Sequence, residues 1–374
     1  MKPVYFDSFA SMPTLPCVRS AMAETLGGHS ANPHSTHTLG LEAAQSVDAV
    51  LEALADLYGG LPENYVLTSG ATEANNLAIR EGVRMVQRSR IVTTAVEHQC
   101  VLQSAYASAK AGASITVCPV EMDGSLAVSS LEAALKEGPA LVSIMAANNE
   151  VGSLNDIAAL AVVSHEANSL FHTDAAQITT HCEFNVEDLD VDLASFSAHK
   201  IGGPIGIGAL YVGERAAAMG PLIAGGGQQE GRRSGTLSPL LCDGYAAALR
   251  TWKEQGEELR QKADKSVAIV CRVLADLLED FPLLGPDLQG RHRANLAIRL
   301  GDNADYVFAH MFNRVCVSDG AACSSGAIRR SHVLDAIRLP MDAHMMRLSF
   351  HPHLERETVL RGANTVREAL LAHG

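Results

Sequence analysis

Between residues 40 and 250, short apolar runs alternate with segments of helical periodicity, and the runs end on residues that can do chemistry. NYVLTSGATEANNLAIREGVRMV (64–86) reads as a strand, a turn and a helix. RIVTTAVEH (90–98), ALVSIMAANNEVG (140–152), SLFHTDAAQ (169–177), VDLASFSAHK (191–200) and IGALYVGE (207–214) read as strands. LGLEAAQSVDAVLEALADLYG (39–59) has the apolar spacing of a helix and stops at glycine. Apolar strands separated by helices predict an α/β fold with a mostly parallel sheet covered on both faces. Function gathers at the strand ends of such sheets. Here those ends carry Thr72, His98, Asn149, Asp174, Gln177 and Lys200.

After residue 242 the pattern changes. Residues 245–281 predict one or two long helices interrupted at Gly256, 293–300 and 345–350 predict strands, and 355–373 a closing helix. A chain of 374 residues exceeds the usual single core. The expected division is a large domain over 14–250 and a smaller α+β domain built from 1–13 and 251–374. The net charge of −13 argues against direct nucleic-acid binding, which needs a basic face. Every apolar run is broken by charge or glycine, so no membrane span is expected. MKPVYFDSFASMP lacks the apolar core of a signal peptide, and cytoplasm is the expected location. None of the eight cysteines forms a CxxC pair, so spacing offers no metal site and free thiols are expected.

Lys200 stands between His199 and a glycine run in FSAHKIGGPIG. It reads either as an exposed loop lysine or as a desolvated amine nucleophile. Its neighbours allow the second reading. A Schiff-base lysine serving pyridoxal 5'-phosphate needs a carboxylate for the pyridinium nitrogen, donors for the phosphate and a flat group for the ring. Asp174 is a strand-end turn residue or that carboxylate. SGATEANN (69–76) is a plain helix cap or a phosphate site at a helix start. Ser197 and His199 flank the lysine within reach of the same phosphate. His98 is a structural histidine or a stacking ring. GGGQQEGRRSGT (225–236) is a surface loop or a part of the site.

SGATEANNLAI, TAVEH, NNEVG, HTDAAQ, SAHKIGGPIGIGALYV, GGGQQEGRRSGT and SDGAACSSG occur in this order along nearly the whole chain. The chain thereby resembles cysteine desulfurases of the NifS/IscS type, in the class V aminotransferase group of fold type I pyridoxal phosphate enzymes. The resemblance implies a seven-stranded, mostly parallel sheet in the large domain and a homodimer. It implies that L-cysteine becomes L-alanine while its sulfur passes to Cys323 as a persulfide and then to an acceptor protein. Lys200 would hold the cofactor and move the substrate's α-proton, Asp174 would pair with the pyridinium, Gln177 with the ring hydroxyl, and His98 would stack. Ala71, Thr72, Ser197 and His199 would hold the phosphate, with Thr236 from the second subunit. Asn149 and Arg347 would hold the substrate carboxylate, Arg347 through its fork. Cys323 is also the residue that would ligate a bridging iron–sulfur cluster, as in some relatives. Arg329, Arg330 and His332 are candidates to activate its thiol.

The chain departs from the pattern at Ser11 and Met12 in FDSFASMP, at Asp319, at Ala198 in place of a common glycine, and at His351 in RLSFHPH. The spacing after Cys323 matches long-loop desulfurases, but the chain ends sooner than the housekeeping enzyme of iron–sulfur assembly. The expected acceptor therefore includes other thio-modification routes, DNA phosphorothioation among them. Two other readings stay open: a selenocysteine lyase or another class V enzyme that does not need Cys323, and a catalytically silent scaffold. Lys200, Asp174 and Arg347 argue against the last.

Overall fold

The computed structural model describes residues 2–28, 31–319 and 330–373. Its elements run β1 (Val4–Tyr5), α1 (Pro16–Gly27), α2 (Thr38–Tyr58), β2 (Tyr65–Thr68), α3 (Ala71–Met85), β3 (Arg90–Thr94), α4 (Gln99–Lys110), β4 (Ser114–Cys118), α5 (Val128–Leu135), β5 (Leu141–Ser143), α6 (Ile157–Glu166), β6 (Leu170–Asp174), β7 (Leu193–Ser197), β8 (Gly208–Val212), α7 (Pro239–Val273), β9 (Asn295–Leu300), α8 (Ala304–Met311), β10 (Val315–Cys316), α9 (His332–Ala336), β11 (His344–Ser349) and α10 (Arg356–His373).

Seven strands form one sheet in the order β2-β8-β7-β6-β5-β3-β4. All neighbours pair in parallel except β8, which is antiparallel to β2 and β7. The exception is local: the chain leaves β7, makes the Lys200 turn and returns into β8 without a crossover helix, and so short a link can only join antiparallel strands. Adjacent residues of each strand feed opposite faces. Val66, Ile91, Leu141 and Leu193 pack under α3 and α4. Leu67, Val92, Val142 and Ala194 pack against α2, α5, α6 and α7. A strand flanked by helices on both sides has no water-facing side, which is why these runs are apolar throughout.

A second core lies around the two-stranded antiparallel sheet β9–β11 and the parallel pair β1–β10, under α8 and α10. The helix α7 serves both cores: Cys242 to Leu259 belong to the first, Val267 and Val270 to the second. It runs unbroken through Gly256, contrary to the expected interruption. A single glycine costs a helix only about 1 kcal/mol, and here its missing side chain leaves room for the Arg260 guanidinium, which would stand 3.2 Å from an added Cβ.

The N-terminal segment crosses from the second core to the first. Met12 N–H donates to His199 O and Leu15 N–H to Gly202 O, clasping the Lys200 turn from outside. Met12 itself is buried in the first core, so its side chain fills space rather than facing a ligand. Ala198 is not among the residues with positive φ. The left-handed position of this turn falls on Gly202 (φ 78°), where an added Cβ would also meet Leu15 at 2.7 Å. Alanine in place of glycine at 198 is therefore free of backbone strain.

Candidate active site

One cavity of about 450 Å³, a size suited to a small cofactor and substrate, opens at the C-terminal ends of the sheet strands. Ala71, Thr72, His98, Asn149, Asp174, Gln177, Ser197, His199, Lys200 and Arg347 all line it. Of the other residues expected in the site, Thr236 is exposed and does not line the cavity of its own chain. Cys323 and Arg329 lie outside the described residues.

Asp174 ends β6 and is buried, and both its carboxylate oxygens are engaged. Oδ1 accepts from Ala176 N–H at 3.0 Å and Oδ2 from the Asn75 amide at 2.7 Å. Gln177 follows it and donates through Nε2 to Phe9 O at 3.0 Å. Lys200, half-buried in the turn after β7, donates to Phe9 O and to Ala10 O. Phe9 O therefore holds both residues, although it lies 191 positions from Lys200 in sequence. Nothing in the composition of the N-terminal segment marked this role.

The opposite wall is the start of α3. Gly70 caps it with φ 148°, a value that favours glycine. Gly208 of β8 lets that turn approach, because a Cβ there would lie 2.7 Å from Gly70 Cα. The result is a helix N-terminus with Thr72 and Ser197 hydroxyls beside it. Glu73 fixes its geometry by accepting from Ser69 N–H at 2.8 Å and pairing with Arg233 at 2.7 Å. Burial works against the Glu73 carboxylate, but Arg233 and Ser69 outweigh it and hold its pKa below the ordinary value. The glycine-rich loop is thus tied to the site. Gln229 adds a second tie: its side-chain amide bonds both N–H and C=O of Leu67, completing the open edge of β2.

His199 is half-buried, and its buried Nδ1 finds no partner among the described residues. Burial and the neighbouring Lys200 push its pKa down to about 4, so it is a neutral ring at pH 7. A buried, unsatisfied imidazole nitrogen beside two hydroxyls and a helix start suits an anionic ligand. An acceptor-only carboxylate, an amine and a flat imidazole around the same cavity suit a cationic aromatic ring bearing a carbonyl. These donors and acceptors fit pyridoxal 5'-phosphate.

His98 caps α4 and accepts through Nδ1 from Cys100 N–H at 3.1 Å. Burial lowers its pKa, and Lys200 and His332 add to this against Asp174. Arg347 sits mid-strand in β11 and is 3% exposed. Its Nη2 pairs with Asp7 at 2.7 Å, and its Nη1 donates to Asn149 O at 2.9 Å, while Nε has no partner among the described residues. Asn149 thus contributes its backbone to orienting the arginine.

Two of the suggested activators for Cys323 are already committed elsewhere. The Arg330 fork pairs with Asp335 and closes onto the carbonyls of Leu339, Met341 and Ala343. His332 uses both ring nitrogens, on Glu97 O and the Gln99 amide, and burial lowers its pKa. Burial favours the neutral form of His332, and the Arg330 charge is paired with the Asp335 carboxylate. Sequence reading also missed Asp7, Asn75 and Cys100. An asparagine inside a helix and a cysteine beside a candidate ring were the available signals. Among the described residues, no helix is long and apolar enough to cross a membrane, and no group of three or more His, Cys, Asp or Glu could hold a metal ion.

The sequence profile of the aminotransferase class-V family matches residues 4–361. The mitochondrial cysteine desulfurase of Arthroderma benhamiae is 37% identical over 345 residues, which is 90% of this chain and 68% of that protein. The human cysteine desulfurase is 35% identical over 346 residues, covering 90% and 74%. Among solved structures, a NifS-like protein superposes with a TM-score of 0.90 at 29% identity over the full length of both chains. SspA in complex with cysteine superposes at 0.81 and 29% identity, over 95% of this chain and 100% of that one. The chain belongs to the class-V aminotransferase family, and within it to the cysteine desulfurases.

Proposed function

We propose that the enzyme uses pyridoxal 5'-phosphate to convert L-cysteine to L-alanine and passes the sulfur through Cys323 to an acceptor protein. The observation that carries this is the convergence of Lys200, Asp174, His98 and Arg347 on one cavity. Asp174 would hold the ring nitrogen, Gln177 the ring hydroxyl, His98 the ring face, and Ala71, Thr72, Ser197 and His199 the phosphate. The bound cofactor would supply an electron sink for the substrate's α-carbon. Lys200 Nζ would carry the proton taken from that carbon. Arg347 would grip the substrate carboxylate, with Asp7 and Asn149 O holding its fork in place. The Cys323 thiol would take the sulfur: the substrate C–S bond breaks, an S–S bond forms, and a proton ends on the alanine methyl group. The balance is L-cysteine plus thiol giving L-alanine plus persulfide, with no external oxidant.

Thr236 is exposed on its own chain, which supports its service to the cavity of a second subunit in a homodimer. The solved relative with cysteine supports the choice of substrate. Cytoplasm remains the proposed location. The test is alanine formation from L-cysteine by the purified, cofactor-loaded protein, with peptide mapping of the added sulfur. Alanine with one extra sulfur on Cys323, absent in C323A and K200A, is expected. Bound cofactor with no alanine and no persulfide overturns the proposal.

A further inference from the structure

Cys100 has no part in the scheme above, yet it lines the same cavity. It occupies the second position of α4, with Sγ 2.9 Å from His98 Nδ1 and 3.2 Å from Asn75 Nδ2. The direction of each bond follows from what each atom can do. A backbone N–H only donates, and that of Cys100 donates to His98 Nδ1. That nitrogen therefore carries a lone pair, and the proton of the neutral ring is on Nε2. The thiol can share that lone pair only as a donor, in a three-centre bond with the backbone N–H, and so only with its sulfur protonated. Burial first, and Asp174 second, push this thiol up to about 12, in agreement with that requirement. The amide Nδ2 of Asn75, fully buried on α3, also only donates, and it bridges Cys100 Sγ and Asp174 Oδ2. A line of hydrogen bonds thus runs from Asp174 through Asn75 and Cys100 to His98.

We propose that Cys100 is a positioning residue that fixes His98 as the neutral ring with its proton on Nε2. His98 would then meet substrate or cofactor through Nε2–H, as a hydrogen-bond donor. The titratable groups around His98 are Asp174 from β6, Lys200 from the turn after β7 and His332 from α9. Asp174 favours the imidazolium, while burial, Lys200 and His332 oppose it. The thiol joins the opposition, because it can donate only to a bare Nδ1. The same backbone turn is braced from outside: His332 donates to Glu97 O and accepts from the Gln99 amide, bonding on either side of His98. The relevance of the tautomer to turnover rests on the function proposed above, but the tautomer itself does not.

The test uses the full chain labelled with ¹⁵N-histidine, with the His98 signals assigned by their loss in H98Q. Long-range ¹⁵N–¹H spectra are expected to show a bare Nδ1 and a protonated Nε2 in the wild type and in C100S, whose hydroxyl also donates. In C100A the proton affinity of His98 is expected to rise about three- to tenfold, the worth of one net hydrogen bond. The acid limb of alanine formation should move with it, and C100S should restore both. C100V fills the thiol's volume without a donor and decides the same point if C100A does not fold. A proton on Nδ1 in the wild type overturns the proposal. So does a His98 titration unchanged in the folded donor-free variants, or sulfur found on Cys100 after turnover. Absence of alanine in the wild type would sink the desulfurase scheme while leaving the spectra to decide the tautomer.

Discussion

The large parallel sheet and the small β9–β11 sheet each supply the cavity, by opposite means. In the large sheet the functional side chains stand where strands stop: Asp174 ends β6, and Lys200 follows β7 by one short turn. In the small sheet Arg347 lies within β11, paired to Ala297 and bridged to Ser318 on its other side. A strand end can offer a polar group to a cleft without burying it against the core. A polar group in the middle of a buried strand needs its own counter-charge, and Asp7 provides it. The strand ends would therefore carry chemistry, and the small sheet would carry recognition.

That division is broken or sharpened by mutation. The largest effect belongs to Lys200. K200A should lower kcat by at least about 10²–10⁴-fold, the usual worth of a positioned proton-transfer group, by steady-state alanine assay. Next comes Arg347. R347K should raise KM for L-cysteine about 10–100-fold, the worth of a charge-assisted bond in a fork that lysine cannot reproduce, with a smaller change in kcat. If K200A and R347K depress the same constant, the two sheets do not divide the work. D7N tests the support behind the arginine, with KM rising roughly tenfold through loss of one charge-assisted contact.

The next prediction concerns stability beside the strand ends. Glu97 is fully buried, accepts from the Thr94 hydroxyl and from Met145 N–H, and leaves Oε2 unpaired among the described residues. Burial, aided by Asp174, pushes its carboxyl up to about 8 from the ordinary 4.5. The folded state keeps this proton where the unfolded chain releases it. The contribution to stability is therefore whole below about pH 4.5 and is lost as pH rises toward 8. The thermal midpoint of the wild type should fall across that window relative to E97Q, whose difference curve removes the titration. A pH-independent difference would refute the assignment. The smallest effect is expected at Ser331, whose hydroxyl donates to Glu150 at 2.5 Å. S331A should cost about 1 kcal/mol in denaturant unfolding. The cost should be greater at pH 8 than at pH 5.5, because burial puts the Glu150 carboxyl at about 7 and Ser331 stabilises its charged form.

The parallel sheet was legible because its strands are doubly covered and so read as apolar runs with clear ends. The edge strand β4 escaped notice because it is only partly buried, with Ser114 and Val117 exposed, and lacks such a run. Asp174 and Lys200 were legible as strand-end residues, and the start of α3 as a turn entering a helix. Asp7 was not, because it meets Arg347 across 340 positions. Nor was the bridging role of Asn75, which joins Asp174 and Cys100 from a third element.

The sequence by itself determined the alternation of strands and helices, the placement of Lys200, Asp174 and His98 at strand ends, and, through its ordered motifs, the family. These follow from local periodicity and from residue types at fixed spacing, which the chain carries wherever it goes. Only the tertiary structure decided that Phe9 O holds Lys200 and Gln177 together, that Asp7 pairs with Arg347, that Arg330 and His332 are committed elsewhere, and that a thiol stands against His98. Most of those are meetings of side chains or carbonyls set by how separate elements pack, while the thiol against His98, two residues away, is set by the backbone turn that caps α4. Packing is decided by the whole core at once, not by any short stretch of the chain.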